Sequence, residues 1–506
     1  MIKYIGTRTF FKKKHSFSQA ILKTTDESGG LYVPEKIPQL SIKELKELSL
    51  LSYQQLTFKL LKLFGLDIED KEIKKIINFA YRKNFDTEEI IKISTLENNV
   101  YLNELWHGPT SSFKDLSLQI KPLLFSYALK KNKNYLNHLI LVATSGDTGS
   151  AALAGYKDKK NIKIIVFFPK NGVSSIQKLS MTTFEGKNLS VFEVEGNFDD
   201  IQKIVKEIFK DKIFNQFLKE KYQTVLSSAN SINLGRLIPQ VIYHFKAYFN
   251  LIKLGKINFG IKIDYVIPTG NFGNILAAFY AKMMGLPINK LICANNINNA
   301  LTFALKKGVY EIKNKTLKKT ISPSIDILVA SNFERLLFHL NPNSSEINQL
   351  MENFLKTKKI TLPSKIAQKI KNIFFADFST EKETKETIKK IFLKKKILID
   401  PHTAVALNVY EKYKKNNQEN NPAIITSTAA WYKFPQSVYQ AIFGKEEKDD
   451  FKIIKFFKNK IKNLKINQEI LNLPKKPIRF SKLLPNDKEI IKKEIINFLK
   501  IQLKQK

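Results

Sequence analysis

Four short apolar runs, HLILVAT, KIIVFFP, IDYVIPTG and PAIITST, start at His138, Lys163, Ile263 and Pro422 and recur through the middle of the chain. Each is rich in β-branched residues and too short for a buried helix, so each reads as a strand. The first and third pass through a glycine-containing loop into a small-residue helical pattern, SAALAGYK and NILAAFYAKMMG. Continuously apolar strands separated by helices predict a parallel α/β architecture with both sheet faces covered. This alternation begins at about Ile93. Residues 1–92 read as a mostly helical region in which Ser41 and Glu44 have the spacing of a capping box. Residues 340–395 read as lysine-rich and helical with little chemistry, and residues 445–506 as a peripheral, lysine-rich helical tail.

Composition narrows the function classes. Lys and Arg number 84 against 46 Asp and Glu, a formal net charge of +38 over 506 residues. Such an excess suits nucleic acid or an anionic surface. Here the lysines are spread along the whole chain, arginine is scarce, and Ile, Asn and Phe are inflated with Lys, so compositional drift is the better account. The expectation is no specific nucleic-acid partner. Cys293 is the only cysteine, which excludes an internal disulfide and a cysteine metal cluster; it reads as a small buried thiol. No histidine pair has metal-ligand spacing, so no metal is expected. The N-terminus lacks a continuous apolar segment of the secretory kind, and no stretch approaches a membrane span. The expectation is a soluble cytoplasmic protein, monomer or homodimer, that does not engage a membrane.

The candidate chemistry starts at HGPTSSFKD, residues 107–115. A Gly-Pro turn and Phe113 flank Lys114, and desolvation of such a lysine favours its neutral, nucleophilic form. Four loops follow strands. ATSGDTGS (143–150) either offers helix N-terminal N–H groups to an anion or is an ordinary capped turn. PTGNFGN (268–274) has the glycines and asparagines of a phosphate cradle without the Walker pattern. SSANSINLGR (227–236) reads as a capped helix start or, through Arg236, as an anion clamp. At the end of IITST, Ser427 or Thr428 can present a hydroxyl to a heterocycle. His402 reads as lying at a helix start, where it can cap the helix or face an anion, and His244, in YHFKAYF, reads as a core residue.

In this order the motifs HGPTSSFKD, TSGDTG, SANSIN with Arg236, TGNFGN and DPHTA resemble those of threonine synthases, pyridoxal-phosphate enzymes of the tryptophan-synthase β type. The resemblance runs from IKYIGTR and GGLYVPE to about Gly444 and includes MMGLPI and SPSIDILVASNFER. It implies fold type II: two parallel-sheet α/β lobes with the cofactor in the cleft, a catalytic core over 93–444 and a smaller lobe over roughly 115–225. Lys114 would carry pyridoxal 5'-phosphate as a Schiff base. Gly270, Asn271, Phe272, Gly273 and Asn274 would hold the cofactor phosphate, and Thr428 would meet the pyridine nitrogen. Thr110, Ser145, Asp147, Thr148, Asn230, Ser231, Asn233 and Arg236 match positions around cofactor or substrate.

The sequence departs from the family pattern at TAAWYKF, where Ala430 and Trp431 replace His or Gln and Pro, and at Asn171, where glycine is usual. Ser174 and Gln177 are retained. The implied reaction converts O-phospho-L-homoserine and water into L-threonine and phosphate. The alternatives are another fold type II enzyme, such as a serine or threonine dehydratase, and a basic nucleic-acid-binding protein without catalysis.

Overall fold

The computed structural model describes residues 1–9, 13–82, 84–417 and 419–504. Two sheets organise them. The smaller has strand order Leu483–Leu484, Leu189–Val194, Ile162–Pro169, Asn137–Ala143 and Thr224–Ser228, all parallel. Alternation of side chains across the pleat explains why its central strands carry apolar residues on both faces. Leu139, Leu141, Ile165 and Phe167 enter one core, while Ile140, Val142, Ile164, Val166 and Phe168 enter another on the opposite face.

The larger sheet has the order Phe374–Phe378, Ile288–Asn295, Ile263–Pro268, Ala423–Ser427, Val100–Glu104 and Lys92–Glu97. Only its edge strand Lys92–Glu97 is antiparallel to its neighbour. The 20-residue helix Leu234–Lys253 joins the two sheets and is buried from Leu234 through Leu251. The fold is thus the two-lobed α/β arrangement of fold type II.

Both sheets reverse their strand order where ligands bind in open α/β folds, at the carboxyl ends of the strands. In the smaller sheet the chain moves outward from Asn137–Ala143 and later returns to its other side with Thr224–Ser228. In the larger it moves outward from Ile263–Pro268 and returns with Ala423–Ser427. All four candidate loops leave these four strands.

Several segments carry more structure than their composition suggests. Capping boxes start the helices after Ser41 and Ser174, as side chain and backbone satisfy each other's free N–H groups. The lysine-rich stretch 340–395 supplies the edge strand Phe374–Phe378. Beyond residue 444, Leu483–Leu484 extends the smaller sheet, and Ile491, Ile495, Phe498 and Leu499 join its core. Cys293 lies inside the strand Ile288–Asn295, fully buried. No described helix is long and apolar enough to cross a membrane.

The helix Asp147–Tyr156 packs on the short helix Lys114–Leu118 at Gly155, where a Cβ would lie 1.9 Å from the Leu118 carbonyl oxygen. Backbone cannot yield as a side chain can, so Gly155→Ala forces the two helices apart. Its expected cost is about 1–3 kcal/mol of unfolding free energy, read by urea denaturation.

Candidate active site

A cavity of about 480 Å³ opens between the carboxyl ends of the two sheets. Lys114, Ser145, Thr148, Asn230, Ser231, Arg236, residues 270–274 and Thr428 all line it. Thr110, Asp147 and Asn233 do not line it, and the structure gives each another task. Thr110 donates through N and Oγ1 to the two oxygens of Asp115, at 2.8 and 2.7 Å. Asn233 caps the helix Leu234–Lys253 by accepting from Gly235 N, and its amide donates to the Ile21 carbonyl. Asp147 lies behind Lys114 instead of in the open wall.

The turn that carries Lys114 is fixed from several sides. Ser111 adopts a left-handed φ of 56°, and its N–H donates to the Gly108 carbonyl. Phe113 N donates to the Thr428 carbonyl at 2.8 Å, so the lysine loop and the Thr428 loop are tied directly. Asn467, from the C-terminal segment, donates to Ser111 Oγ at 3.2 Å.

Lys114 Nζ lies 3.2 Å from Ser324 Oγ, 3.4 Å from Asp147 Oδ2 and 5.2 Å from the centre of the Phe113 ring. Burial lowers its pKa; Asp147 opposes that shift, while Lys433 and Arg236 reinforce it. Asp147 is itself buried, which would raise its pKa, but Lys433 and Lys114 outweigh burial and hold it well below the usual carboxylate range. Burial pushes the neighbouring Asp115 up to about 6.

The cradle at 270–274 follows from backbone conformation. Phe272 has a φ of 63° and is held by edge-on packing against Phe333. The first hydrogen bond inside the following helix runs from Leu276 N to the Phe272 carbonyl, so the preceding N–H groups point out of the helix end, where an anion is favoured. A Cβ at Gly270 would come within 2.9 Å of the Ser324 carbonyl oxygen. Asn274 Oδ1 accepts from Tyr243 and from His244, while its buried Nδ2 has no partner among the described residues. His244 is a core histidine that braces this cradle.

A cationic side chain lines the same cavity. Arg236 is buried, its Nη1 donates to the Ala229 carbonyl at 3.1 Å, and its Nε has no partner among the described residues. Burial lowers its pKa to about 10. Beside it, buried Lys121 donates to the Ser228 carbonyl at 2.8 Å. The loop at 143–150 differs from an open N–H nest, because Gly146 N and Gly149 N both donate to Thr144 Oγ1. Ala143, Thr144, Ser145 and Thr148 are what it offers the cavity.

One guanidinium joins the two anion-facing loops. Arg335 is fully buried and donates to the carbonyls of Tyr32 and Ile232 and to Asn332 Oδ1; Asn332 in turn donates twice to the Asn271 carbonyl.

Four residues of the site were not assigned from sequence. Ser324 stands in the 3-10 turn of SPSIDIL, a segment that is part of the family resemblance but was given no role in the site. His402 is more than a capping group: it lines the cavity, accepts from Ser324 N at 3.1 Å through Nε2, and lies 2.8 Å from Asp400 through Nδ1. Gln177 and Lys433 lie behind Asp147. A lysine flanked by aromatics in WYKF is the one signal that pointed to a buried cation.

The family model for the threonine synthase N terminus matches residues 3–81, that for pyridoxal-phosphate dependent enzymes residues 88–341, and that for the threonine synthase C-terminal region residues 403–495. The chain belongs to the threonine synthase family. It is 36% identical to threonine synthase of Saccharomyces cerevisiae over 469 residues, covering 87% of this chain and 89% of that protein. Human threonine synthase-like 1 is 42% identical over 440 residues, 85% of this chain but only 58% of that longer protein. The crystal structure of yeast threonine synthase superposes with a TM-score of 0.86 at 34% identity, covering 98% and 99% of the two chains. The pyridoxal-phosphate-bound threonine synthase of Brucella melitensis gives 0.86 at 32%, with the same coverage.

Against the family's cofactor, pyridoxal phosphate, the site is a fit: a buried amine of lowered pKa faces a glycine-containing N–H cradle with an unpartnered amide at Asn274.

His107 of the lysine turn meets Asp86 Oδ1 at 2.5 Å and Glu104 Oε2 at 3.0 Å. Burial lowers its pKa, but hydrogen bonds to the two carboxylates outweigh that and raise it. A raised folded-state pKa gives stability that is full below the ordinary value of about 6.5 and is lost as pH rises through the folded value. The thermal midpoint should therefore decline as pH rises above neutral, and His107→Gln should remove that decline, both measured by circular dichroism melts.

Proposed function

We propose that the protein is a threonine synthase that converts O-phospho-L-homoserine and water into L-threonine and phosphate. The observation that supports this reading is the pair of anion-facing loops in one cavity: the N–H cradle at 270–274 and the Arg236 wall, with Lys114 in the same cavity. A dehydratase of serine or threonine needs one phosphate site, for the cofactor; a phosphorylated substrate needs two.

Pyridoxal phosphate, when bound, supplies the conjugated electron sink that acidifies the substrate's Cα and Cβ positions. Residues 270–274 would hold its phosphate, Lys114 its carbonyl carbon and Thr428 its ring nitrogen. A neutral threonine hydroxyl does not enforce a protonated ring, so proton placement falls to the protein's own groups. Lys114 removes the Cα proton and returns one to the same carbon at the end of the cycle, which needs an amine that is neutral near working pH. Arg236 binds the substrate phosphate before and after its C–O bond breaks, with Asn230 and Ser231 as hydrogen-bonding partners. Ser145 and Thr148 face the substrate from the smaller sheet. Cβ loses a proton as phosphate leaves Cγ with the C–O electron pair, Cγ then gains a proton to become the methyl group, and water finally gives its hydroxyl to Cβ, so the overall change is hydrolytic and consumes no oxidant. Residues 93–444 form the catalytic core in this reading, which further has the enzyme working in the cytoplasm as a monomer or homodimer.

The test is incubation of the purified, cofactor-loaded protein with phosphohomoserine, serine and threonine, following phosphate, threonine and 2-oxoacid. Threonine and phosphate in equal amounts support the proposal; 2-oxoacid from serine without phosphate turnover refutes it. Lys114→Ala should abolish turnover. Arg236→Gln should raise KM for phosphohomoserine about 10- to 100-fold, the loss of one charge-assisted contact of about 1.5–3 kcal/mol, with a smaller effect on cofactor binding read by absorbance.

A further inference from the structure

Lys433 has no part in the chemistry above, yet it is 1% exposed, a rare state for a lysine. Its Nζ lies 2.9 Å from Asp147 Oδ1 and donates to the Thr110 carbonyl at 2.7 Å. The other oxygen of Asp147 faces Lys114 Nζ at 3.4 Å and accepts from Ser324 Oγ at 3.3 Å. One carboxylate therefore stands between two buried lysine side chains, nearer to the one that is not in the cavity wall. A single capping box grips this pair from both sides. Ser174 Oγ donates to the Lys433 carbonyl at 2.9 Å, and Gln177 Nε2 donates to Asp147 Oδ1 at 2.9 Å.

We propose that Lys433 is a positioning residue for Lys114: by neutralising Asp147 from behind, it lets that carboxylate orient the Lys114 amine without fixing a proton on it. Were Asp147 free of Lys433, its whole charge would fall on Lys114, and a buried lysine paired with its own carboxylate stays an ammonium ion. The other charged groups around Lys114 do not do this. Arg236, across the cavity, repels the lysine's charge and makes no bond to Asp147. Asp115 is engaged by Thr110, and His402 by Asp400 and Ser324 N. The two halves of the device come from distant parts of the chain, Asp147 at the start of a small-lobe helix and Lys433 after the large sheet's Ala423–Ser427 strand. The inference rests on Lys114 being the attachment lysine, and not on phosphohomoserine being the substrate.

The test reads Lys114 directly in cofactor-free protein, by the pH dependence of its acetylation with acetic anhydride, quantified on the tryptic peptide by mass spectrometry. Only the free amine reacts, so each unit by which the midpoint rises slows labelling tenfold below it. Lys433→Met should raise the midpoint by at least one unit, and Lys433→Arg should restore it. In Lys433→Met with Asp147→Asn, where both charges are gone, the midpoint should return towards the parent value. An unchanged midpoint in folded Lys433→Met overturns the proposal, and so does an equal rise in the double variant. Should Lys433→Met fail to fold, Asp147→Asn alone decides: a lowered midpoint supports the role of the carboxylate as the link, and an unaltered one overturns it. Because labelling needs neither cofactor nor substrate, a failure here is separate from a failure of turnover on phosphohomoserine.

Discussion

The site depends on one carboxylate shared among buried cations. Asp147 meets Lys433, Lys114 and the amide of Gln177, and it can do so only because the two sheets bring their carboxyl ends together. In a low-dielectric setting an unpaired charge costs far more than a paired one returns. The lysine, the carboxylate and the capping box are therefore mutually required. The Phe113–Thr428 backbone bond serves the same end, since it fixes the lysine turn to the strand-end loop that leads to Lys433.

Segments remote from the chemistry are part of this geometry. The N-terminal region delivers the Tyr32 and Ile21 carbonyls to Arg335 and Asn233. The C-terminal segment delivers Asn467 to the lysine turn, and Trp431, one of the residues that departs from the family pattern, packs edge-on against Phe457 beyond the core. The replaced positions have become packing sites, while Lys433 two residues on retains its ion pair.

Much of the fold was legible because the strands announce themselves. Ile162–Pro169 is buried at every position and is apolar at nearly all of them, and the four loops that matter each follow such a run. Phe374–Phe378 was not legible, since five residues within a lysine-rich, helical stretch carry too little periodicity to outweigh their surroundings. Within the site, glycines and the lysine turn were readable because backbone conformation demands particular residues. That Asn233 and Thr110 lie outside the cavity wall was not readable, because an asparagine or threonine that bonds locally and one that faces a ligand use the same atoms. Asp147 and Lys433 lie 286 positions apart, so their pairing exists only in three dimensions.

The buried guanidinium of Arg335 has a geometric consequence of its own. It holds the Ile232 carbonyl of one anion-facing loop and, through Asn332, the Asn271 carbonyl of the other. The two loops are thereby tied to one rigid planar group. A chain built this way carries an internal caliper, since the spacing of both loops is referred to a single buried side chain that lies outside the cavity wall.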